Sequence, residues 1–367
     1  MPREWGARAP ASTRLHARTL LFTARAFADP ALETHLTEPT YDVVAIGNAI
    51  VDILAQAEDS FLEAEGMNKG SMQLVFSPAE ADALYAKMGP GREVSGGSAA
   101  NTVAGIAALG GKCGFIGQVA DDQLGKVFAH DVQAVGIRFD TAARAGDPTT
   151  ARCLIFVTPD GQRTMNTFLG ASQFLPEAAL DRQMIADAAI LYLEGYLWDP
   201  EEPRQAMRAA IEVARGAGRK VAFTLSDVFC ISRHGDDFRT LLAEGMIDIL
   251  FANENELLAL AEDDDFENAV AKVAPQVPTL VVTRSERGAI AIVDGERVAV
   301  PAEPVAAVVD TTGAGDLFAA GFLHGQAQGR SVTDSLRMGA ICAAEIISHY
   351  GARPNVDLKK LIADKLG

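Results

Sequence analysis

The amino-acid sequence predicts an α/β fold: a doubly wound, mostly parallel sheet flanked by helices, with a small β-sheet lid beside it. Short apolar runs alternate with amphipathic stretches from residue 41 onward, the pattern of strands joined by crossover helices. Many strand-like runs are continuously apolar, as expected when helices cover both faces of a sheet. The chain has 367 residues, 49% of them hydrophobic, so it can bury a sizeable core.

The elements of the main sheet follow one another in a regular series. The predicted strands cover residues 41–47, 113–119, 190–195, 221–225, 248–252, 279–283 and 289–293. The predicted helices cover residues 99–109, 123–135, 203–217, 238–244, 254–261, 266–274, 316–328 and 332–350. No repeat of 20–50 residues and no low-complexity tract is visible in the sequence, which favours one domain over residues 40–367.

Two segments lack a helical period and predict a separate small sheet. They are residues 71–76 and 151–169. The turn sequence T-P-D-G at 158–161 separates the strand-like arms 152–157 and 163–169, which indicates a β-hairpin. We expect a β-lid formed from about 53–78 and 150–171. The alternative is a pair of edge strands on the main sheet.

The first 39 residues differ in composition from the rest of the chain. Five arginines lie among Ala, Thr and Leu, and Glu4 is the only acidic residue before Asp29. This composition resembles an organelle transit peptide, and the alternatives are an upstream start codon or an unstructured extension. We expect residues 1–39 to be a disordered or mis-started extension, with the folded part beginning near Tyr41.

Charge and cysteine content argue against several classes of protein. The chain carries 32 basic and 49 acidic residues, a formal charge of −17, which disfavours nucleic-acid and anionic-membrane binding. Its four cysteines form no C-x-x-C pair, which argues against a zinc ribbon or disulfide scaffold and suits a reducing, cytoplasmic location. No apolar run reaches the roughly 20 residues that a membrane span needs.

The sequence V-V-D-T-T-G-A-G-D-L-F at 308–318 leads an apolar run into a glycine-rich turn and a helix. Amides at a helix N-terminus form an anion site, and Gly313 and Gly315 let the backbone approach a phosphate. Asp316 beside this site can accept a proton from an attacking hydroxyl. The alternative is structural: a tight turn followed by a capping aspartate.

The sequence S-G-G-S-A-A-N-T at 95–102 also opens a helix. Gly96 and Gly97, followed by Asn101, can present backbone amides and a side-chain amide to the hydroxyls of a polyol. The alternative is a loop with an ordinary N-cap at Ser98.

Asp52 follows the first predicted strand in I-G-N-A-I-V-D at 46–52. Ligands of open α/β sheets bind beyond the carboxyl ends of the strands. A carboxylate there can bind two vicinal hydroxyls, and the alternative is a solvated turn residue.

The sequence N-E-N-E at 253–256 directly follows another predicted strand. A carboxylate and amides at a strand end suit water-mediated positioning of Mg²⁺ near phosphates. The alternative is a helix N-terminus, which favours acidic residues through the helix dipole.

Signatures of other enzyme classes are absent from the sequence. It contains no G-x-x-x-x-G-K-[ST], no G-x-G-x-x-G after the first strand, no H-E-x-x-H and no G-x-S-x-G. These absences argue against a P-loop enzyme, a flavin or nicotinamide oxidoreductase, a zinc protease and a serine hydrolase.

Taken together, the four motifs resemble those of the ribokinase-like (PfkB) family of sugar and nucleoside kinases, over about residues 41–354. The element G-A-G-D preceded by D-T, and G-G-x-x-x-N upstream, are the two signatures of that family. Membership implies a ribokinase-like core with a β-lid and the transfer of a phosphoryl group from ATP, with Mg²⁺, to an alcohol. Dependence on a monovalent cation such as K⁺ stays open.

The resemblance implies a role for each matching residue. Asp316 is the implied general base, and Gly313, Ala314 and Gly315 form the implied anion hole. Arg163, on the hairpin, would steady phosphate charge when the lid closes. The residues implied to contact the acceptor are Asn48, Asp52, Gln73, Gly96, Gly97, Asn101 and Phe168. Those implied on the ATP side are Asn253, Thr283, Gly288, Thr312, Ala343 and Ile347, with Glu256 as the metal contact.

Details of the motifs resemble adenosine kinases more than ribokinases. The chain has G-G-S-A-A-N instead of G-G-K-G-A-N, and its G-N-A-I-V-D-I resembles G-N-P-x-x-D-I. Gln73 matches a glutamine that lies against the base, and Phe168 and Phe229 are candidates to flank a purine, with apolar packing as the alternative. Ala49 in place of Pro and Thr311 in place of Asn leave ribokinase- or guanosine-type specificity open.

We therefore expect a kinase that converts adenosine to AMP in purine salvage. A sugar kinase of the same family and a non-catalytic nucleoside sensor are the alternatives. The expected partner is a small-molecule nucleoside or sugar, without nucleic acid or membrane. The sequence leaves open whether the protein is a monomer or a lid-mediated homodimer.

Overall fold

A computed structural model describes residues 38–367. The extension expected over residues 1–39 lies outside the described residues except for its last two positions. The strands are β1 (Tyr41–Ile46), β2 (Ile50–Gln56), β3 (Met72–Leu74), β4 (Arg92–Gly96), β5 (Cys113–Ile116), β6 (Ala151–Val157), β7 (Arg163–Phe168), β8 (Ala188–Glu194), β9 (Lys220–Thr224), β10 (Ile249–Asn253), β11 (Thr279–Thr283), β12 (Ala289–Val293) and β13 (Glu296–Val300). The α-helices are α1 (Asp59–Ala64), α2 (Pro78–Tyr85), α3 (Ser98–Ala108), α4 (Gln123–Ala134), α5 (Arg182–Ala186), α6 (Glu201–Gly216), α7 (Val228–Ala243), α8 (Glu254–Ala261), α9 (Phe266–Val273), α10 (Ala314–Ala327), α11 (Val332–Ile346) and α12 (Leu358–Leu366).

The main sheet has eight strands in the order β13-β12-β11-β10-β9-β8-β1-β5. All neighbours from β5 to β11 pair in parallel, and β12 and β13 add an antiparallel edge. In β1, Val43 and Ala45 belong to the hydrophobic core on one face, and Val44 and Ile46 to the core on the other. All four side chains are fully buried. The expected doubly wound, mostly parallel sheet is confirmed.

A second sheet has five strands in the order β3-β7-β6-β2-β4. The antiparallel pairing of β6 with β7 confirms the predicted hairpin and removes the alternative of edge strands on the main sheet. Two parts of this sheet lie outside the segments expected for the lid, since β2 begins at Ile50 and β4 covers Arg92–Gly96. The start of β4 is exposed and charged, so it lacks the apolar pattern by which strands are recognised.

The two faces of this second sheet have different surroundings. Residues paired across the register share a face. One row across β2, β6, β7 and β3 consists of Asp52, Cys153, Thr167 and Leu74, and we call this side the Asp52 face. The other side, the helix face, carries Ile53, Leu154 and Phe156. Phe156 packs against Phe61 of α1, with 5.0 Å between the ring centroids.

Several elements of the main domain differ from expectation, and the short helices α5 and α12 were not expected. The helix expected over 238–244 is the longer α7, whose N-terminus is capped by Asp227 through a 2.6 Å hydrogen bond from the Cys230 N–H. The polar stretch S-R-H-G-D-D at 232–237 lies in the middle of α7 and interrupts its apolar pattern. The helix expected to end at 350 ends at Ile346, and the exposed edge strand β13 was not expected.

Two further expectations concern membranes and disulfides. Within residues 38–367, no helix combines the length and apolarity that crossing a membrane requires. All four cysteines fall in this range, and each is a buried free thiol.

Candidate active site

Asp316 lies in the first turn of α10, and two side chains of α3 hold its carboxylate. Ser98 Oγ donates to Asp316 Oδ1 at 2.6 Å, and Asn101 Nδ2 donates to Oδ2 at 3.0 Å. Burial raises the pKa of Asp316, and both hydrogen bonds and the charge of Arg353 oppose that rise. The two hydrogen bonds orient the carboxylate, and its pKa lies closer to neutral pH than that of a free aspartate. Both properties suit a general base.

The turn before Asp316 has the geometry of an anion site. Gly313 precedes α10 with φ +79°, a backbone conformation that favours glycine. A Cβ there would also lie only 2.8 Å from Ala352 Cβ, so the position has no space for a side chain. A Cβ on Gly315 would meet nothing within 4 Å, so space is open above this turn. The first-turn N–H groups of a helix have no intrahelical acceptor. This turn therefore fits a phosphate group.

Asp52 and the glycine pair that follows β4 are packed closely together. A Cβ on Gly96 would lie 2.5 Å from Asp52 Oδ2, and one on Gly97, at φ +98°, would lie 2.2 Å from Asn48 O. Burial raises the pKa of Asp52 to about 6, although the charges of Arg353 and Arg163 oppose this. Gly96 thus leaves room for the Asp52 carboxylate at the predicted acceptor site, and Gly97 leaves room for the Asn48 carbonyl.

Glu194, at the end of β8, is a site residue that the sequence analysis did not find. It is fully buried, and its Oε1 accepts from the backbone N–H and from Nδ2 of Asn48, at 2.7 and 2.8 Å. Its Oε2 accepts from the Ala99 N–H at 2.7 Å. Burial raises the pKa of Glu194 to about 7. The available signal was a charged residue at the carboxyl end of an apolar strand, the same signal that identified Asp52.

Arg353 is the second residue that was missed. Its guanidinium donates to Asn101 Oδ1 at 2.8 Å and to the Ser95 carbonyl at 2.7 Å. It lies in the loop G-A-R-P-N after α11, far along the chain from every motif, and no sequence signal distinguishes it. The structure brings Arg353 next to Asn101, which itself holds the carboxylate of Asp316.

Arg163 of the second sheet is joined to the loop before α10. Its Nη1 lies 2.9 Å from Asp310 Oδ2, both side chains are buried, and the guanidinium carbon lies 5.6 Å from the centroid of the Tyr350 ring. Among the described residues, nothing accepts a hydrogen bond from its buried Nε and Nη2. Buried donors without acceptors are rare, so these two fit an anionic ligand.

The register of the second sheet contradicts two expected acceptor contacts. Gln73 pairs with Asn166, and Phe168 with Arg152, which puts both on the helix face, opposite Asp52. Gln73 Nε2 donates to Asn166 Oδ1 at 2.5 Å, and Phe168 is buried beneath the guanidinium of Arg152. Because side chains alternate along a strand, their neighbours Leu74 and Thr167 lie on the Asp52 face instead.

Asn253 and Glu256 form a capping box at the start of α8. The Asn253 side chain accepts from the Glu256 N–H at 2.9 Å, and both oxygens of Glu256 accept hydrogen bonds from Asn253. This arrangement fits the structural alternative, and it leaves Glu256 less free to ligate a metal directly. Burial raises the pKa of Glu256 to about 7. Its role as the metal contact stays a prediction.

The residues expected on the ATP side lie around β11, β12 and the end of α11. Thr283 ends β11, and Gly288 precedes β12 with φ +82°, where a Cβ would lie 2.1 Å from Val300 O. Ile347 O accepts from the Val309 N–H at 2.8 Å, one helical turn after Ala343, and the Thr312 N–H donates to Asp310 at 3.0 Å. The end of α11 is therefore tied to the loop that leads to Asp316, while the ATP contacts themselves stay predictions.

Comparison with known proteins settles the family. The model of the pfkB family of carbohydrate kinases matches residues 42–359. The chain belongs to this family. The kinase is similar to a solved probable sugar kinase from Rhizobium etli, with 44% identity and a TM-score of 0.83 over 89% of this chain and 98% of that one.

Two further relatives of this pfkB-family kinase differ in the acceptors that their names give. A solved adenosine kinase from Sinorhizobium meliloti is 47% identical, with a TM-score of 0.82 over 88% of this chain and 99% of that one. A fructokinase from Klebsiella pneumoniae is 33% identical over 65% of this chain and 80% of its own length. Use of ATP and a divalent metal is general in the family.

Proposed function

We propose that this kinase transfers the γ-phosphoryl group of ATP to the primary alcohol of a nucleoside, adenosine in the first place, and yields AMP. The observation that carries the reaction class is the Asp316 carboxylate, held by Ser98 and Asn101 beside the open glycine turn of α10. This pairs an oriented base with an anion site, the combination that phosphoryl transfer to an alcohol needs.

In the proposed reaction, Asp316 accepts the proton of the acceptor's 5′-hydroxyl as the oxygen attacks the γ-phosphorus. The bond between the γ-phosphorus and the β–γ bridging oxygen breaks, and ADP leaves. The first-turn amides of α10 and the free donors of Arg163 stabilise the negative charge on the transferred group. When bound with ATP, Mg²⁺ would supply further neutralisation of phosphate charge, with Glu256 as its predicted contact. Asp52 holds the acceptor's hydroxyls, and the second sheet, acting as a lid, keeps water away from the transferred group.

The Asp52 face of the second sheet supports a nucleoside as the acceptor. Next to the row that contains Asp52 lies an apolar row on the same face, made of Leu54, Ile155, Met165 and Met72. Met72 and Leu74 are 45% and 38% exposed, high values for such side chains on the face of a sheet. A purine base can cover this apolar surface with its flat ring system, whereas a free hexose carries hydroxyl groups around its ring and offers less apolar surface.

The similarity to the adenosine kinase from Sinorhizobium meliloti supports the same choice, since it covers 88% of this chain at 47% identity. A sugar kinase is the second candidate, because the curated relatives include fructokinases at 27–33% identity.

A substrate panel tests the proposal. Purified enzyme with ATP and Mg²⁺ is assayed for ADP release with adenosine, guanosine, inosine, cytidine, ribose, fructose and 2-keto-3-deoxygluconate. Asp316→Asn, prepared in parallel, controls for contaminating kinases. We expect the highest kcat/KM with adenosine. Preference for a free sugar overturns the nucleoside assignment, and silence across the panel supports the sensor alternative.

A further inference from the structure

We propose that Arg353 is a positioning residue for phosphoryl transfer, which orients Asn101 towards Asp316 and offsets the negative charge of Asp52 and Asp316. This inference rests on the proposed role of Asp316 as the base. Arg353 follows α11, outside every motif that identified the family.

The orientation argument starts from the two ends of the Asn101 amide. Arg353 Nη1 donates to Asn101 Oδ1 at 2.8 Å, while Asn101 Nδ2 donates to Asp316 Oδ2 at 3.0 Å. A guanidinium can only donate hydrogen bonds, so the oxygen of Asn101 must face Arg353 and its NH₂ group must face Asp316. Without Arg353 only the ionised carboxylate of Asp316 selects this orientation, and that selection weakens when Asp316 is protonated.

The same guanidinium is anchored to the glycine motif. Its Nη2 donates to the carbonyl and to Oγ of Ser95, at 2.7 and 3.1 Å, and Nη1 also lies 3.3 Å from the Ala100 carbonyl. Ser95 immediately precedes Gly96, which packs against the carboxylate of Asp52. One planar side chain thus joins the acceptor end of the site to the base end, a geometry that a lysine cannot reproduce.

The charges around the site show why a cation is needed there. The charged and titratable groups that interact with one another there are Asp52 of β2, Asp131 of α4, Cys153 of β6, Arg163 of β7, Tyr192 and Glu194 of β8, Tyr196 after β8, and Asp316 of α10. Arg163 is already paired with Asp310. The charge of Arg353 lowers the pKa of both Asp52 and Asp316 against the effect of burial. Its removal therefore favours protonation of the base.

The pH dependence of kcat/KM separates this role from a purely structural one. We expect Arg353→Gln to lower kcat at least tenfold and to move the acidic limb of the profile upward by about one pH unit, the low end of the effect of a neighbouring opposite charge. Arg353→Lys keeps the positive charge but not the planar group that donates through two nitrogens. The acidic limb of the pH profile therefore stays in place while kcat falls. Glu194 titrates in the same range, so the profiles are repeated in an E194Q background, where the same displacement is expected.

Arg152→Gln is the matched control, because Arg152 is an arginine that is at least as buried as Arg353 but lies on the helix face and pairs with Asp82. We expect the profile of this variant to keep the wild-type limb. An R353Q enzyme with wild-type kcat and limb overturns the proposal. If R353Q does not fold, R353K serves as the test, and a wild-type kcat in R353K overturns the proposal. Full activity of Asp316→Asn would instead show that Asp316 is not the general base. This outcome overturns the proposed role of Asp316 and is measured without any Arg353 variant.

Discussion

Replacing Glu194 by glutamine isolates the free energy of burying one ionised carboxylate beneath the active site. Glu194 is fully buried, and all its hydrogen bonds come from N–H donors of Asn48 and Ala99. Glutamine keeps one acceptor oxygen and turns an NH₂ group towards one of these donors, which costs about 1–3 kcal/mol at every pH. The loss of ionisation adds a second effect that depends on pH.

The size of the second effect follows from the pKa of Glu194. Burial moves it from 4.5 to about 7. Below pH 4.5 the group is neutral in the folded and the unfolded chain and contributes nothing. As the pH rises towards 7, only the unfolded chain loses its proton, so the stability of the wild type falls. At about 1.4 kcal/mol per pH unit, about 2–3 kcal/mol of this loss falls between pH 5 and pH 8.

Urea unfolding of wild type and E194Q at pH 5 and pH 8 measures this quantity, because titrating groups that do not interact with Glu194 cancel in the difference between the two proteins. We expect E194Q to be the less stable protein at pH 5 and to gain about 2–3 kcal/mol relative to the wild type at pH 8. Exposed Glu212→Gln is the control and should show the same difference at both values. A difference for E194Q that does not change with pH refutes the reasoning.

Three more predictions concern the acceptor site and the lid. Gly96→Ala places a Cβ 2.5 Å from Asp52 Oδ2, so the carboxylate must move, and steady-state kinetics should show KM for the acceptor raised about tenfold with little change in kcat. Leu74→Ala should weaken nucleoside binding about threefold or more in calorimetric titration, since apolar contact with the base is lost. Gln73→Ala, on the opposite face of the sheet, should leave the affinity unchanged. A larger loss of affinity in Gln73→Ala than in Leu74→Ala contradicts the register argument. Asp310→Asn leaves the buried Arg163 without its partner and should lower the free energy of unfolding by about 3–5 kcal/mol, and an unchanged unfolding curve contradicts this.

The main sheet could be predicted from sequence because its strands are buried on both sides. Continuous apolar runs mark such strands, and the predicted bounds 279–283 and 289–293 coincide with β11 and β12. The edge strands β4 and β13 carry charged, exposed residues, so they lack a continuous apolar run and were missed. Local pattern thus finds the centre of a sheet more readily than its edges.

The candidate site was predicted only where its chemistry is local in sequence. Asp316 and Asp52 stand in short motifs next to glycines. Arg353 reaches the site through the packing of the loop after α11, and no pattern near it indicates that. Gln73 and Phe168 were misassigned because the facing of a strand residue depends on register, and a slip of one residue exchanges the two faces.

The most direct test of the central claim compares wild type with Asp316→Asn in two measurements on the same preparations. Calorimetric titration gives the affinity for adenosine, and ADP release with ATP and Mg²⁺ gives the turnover. The asparagine keeps the size of the side chain but cannot take the proton, so affinity should stay within a few-fold while kcat falls by about 10³ or more. A variant that retains half of the wild-type turnover contradicts the account, because Asp316 is then not the base.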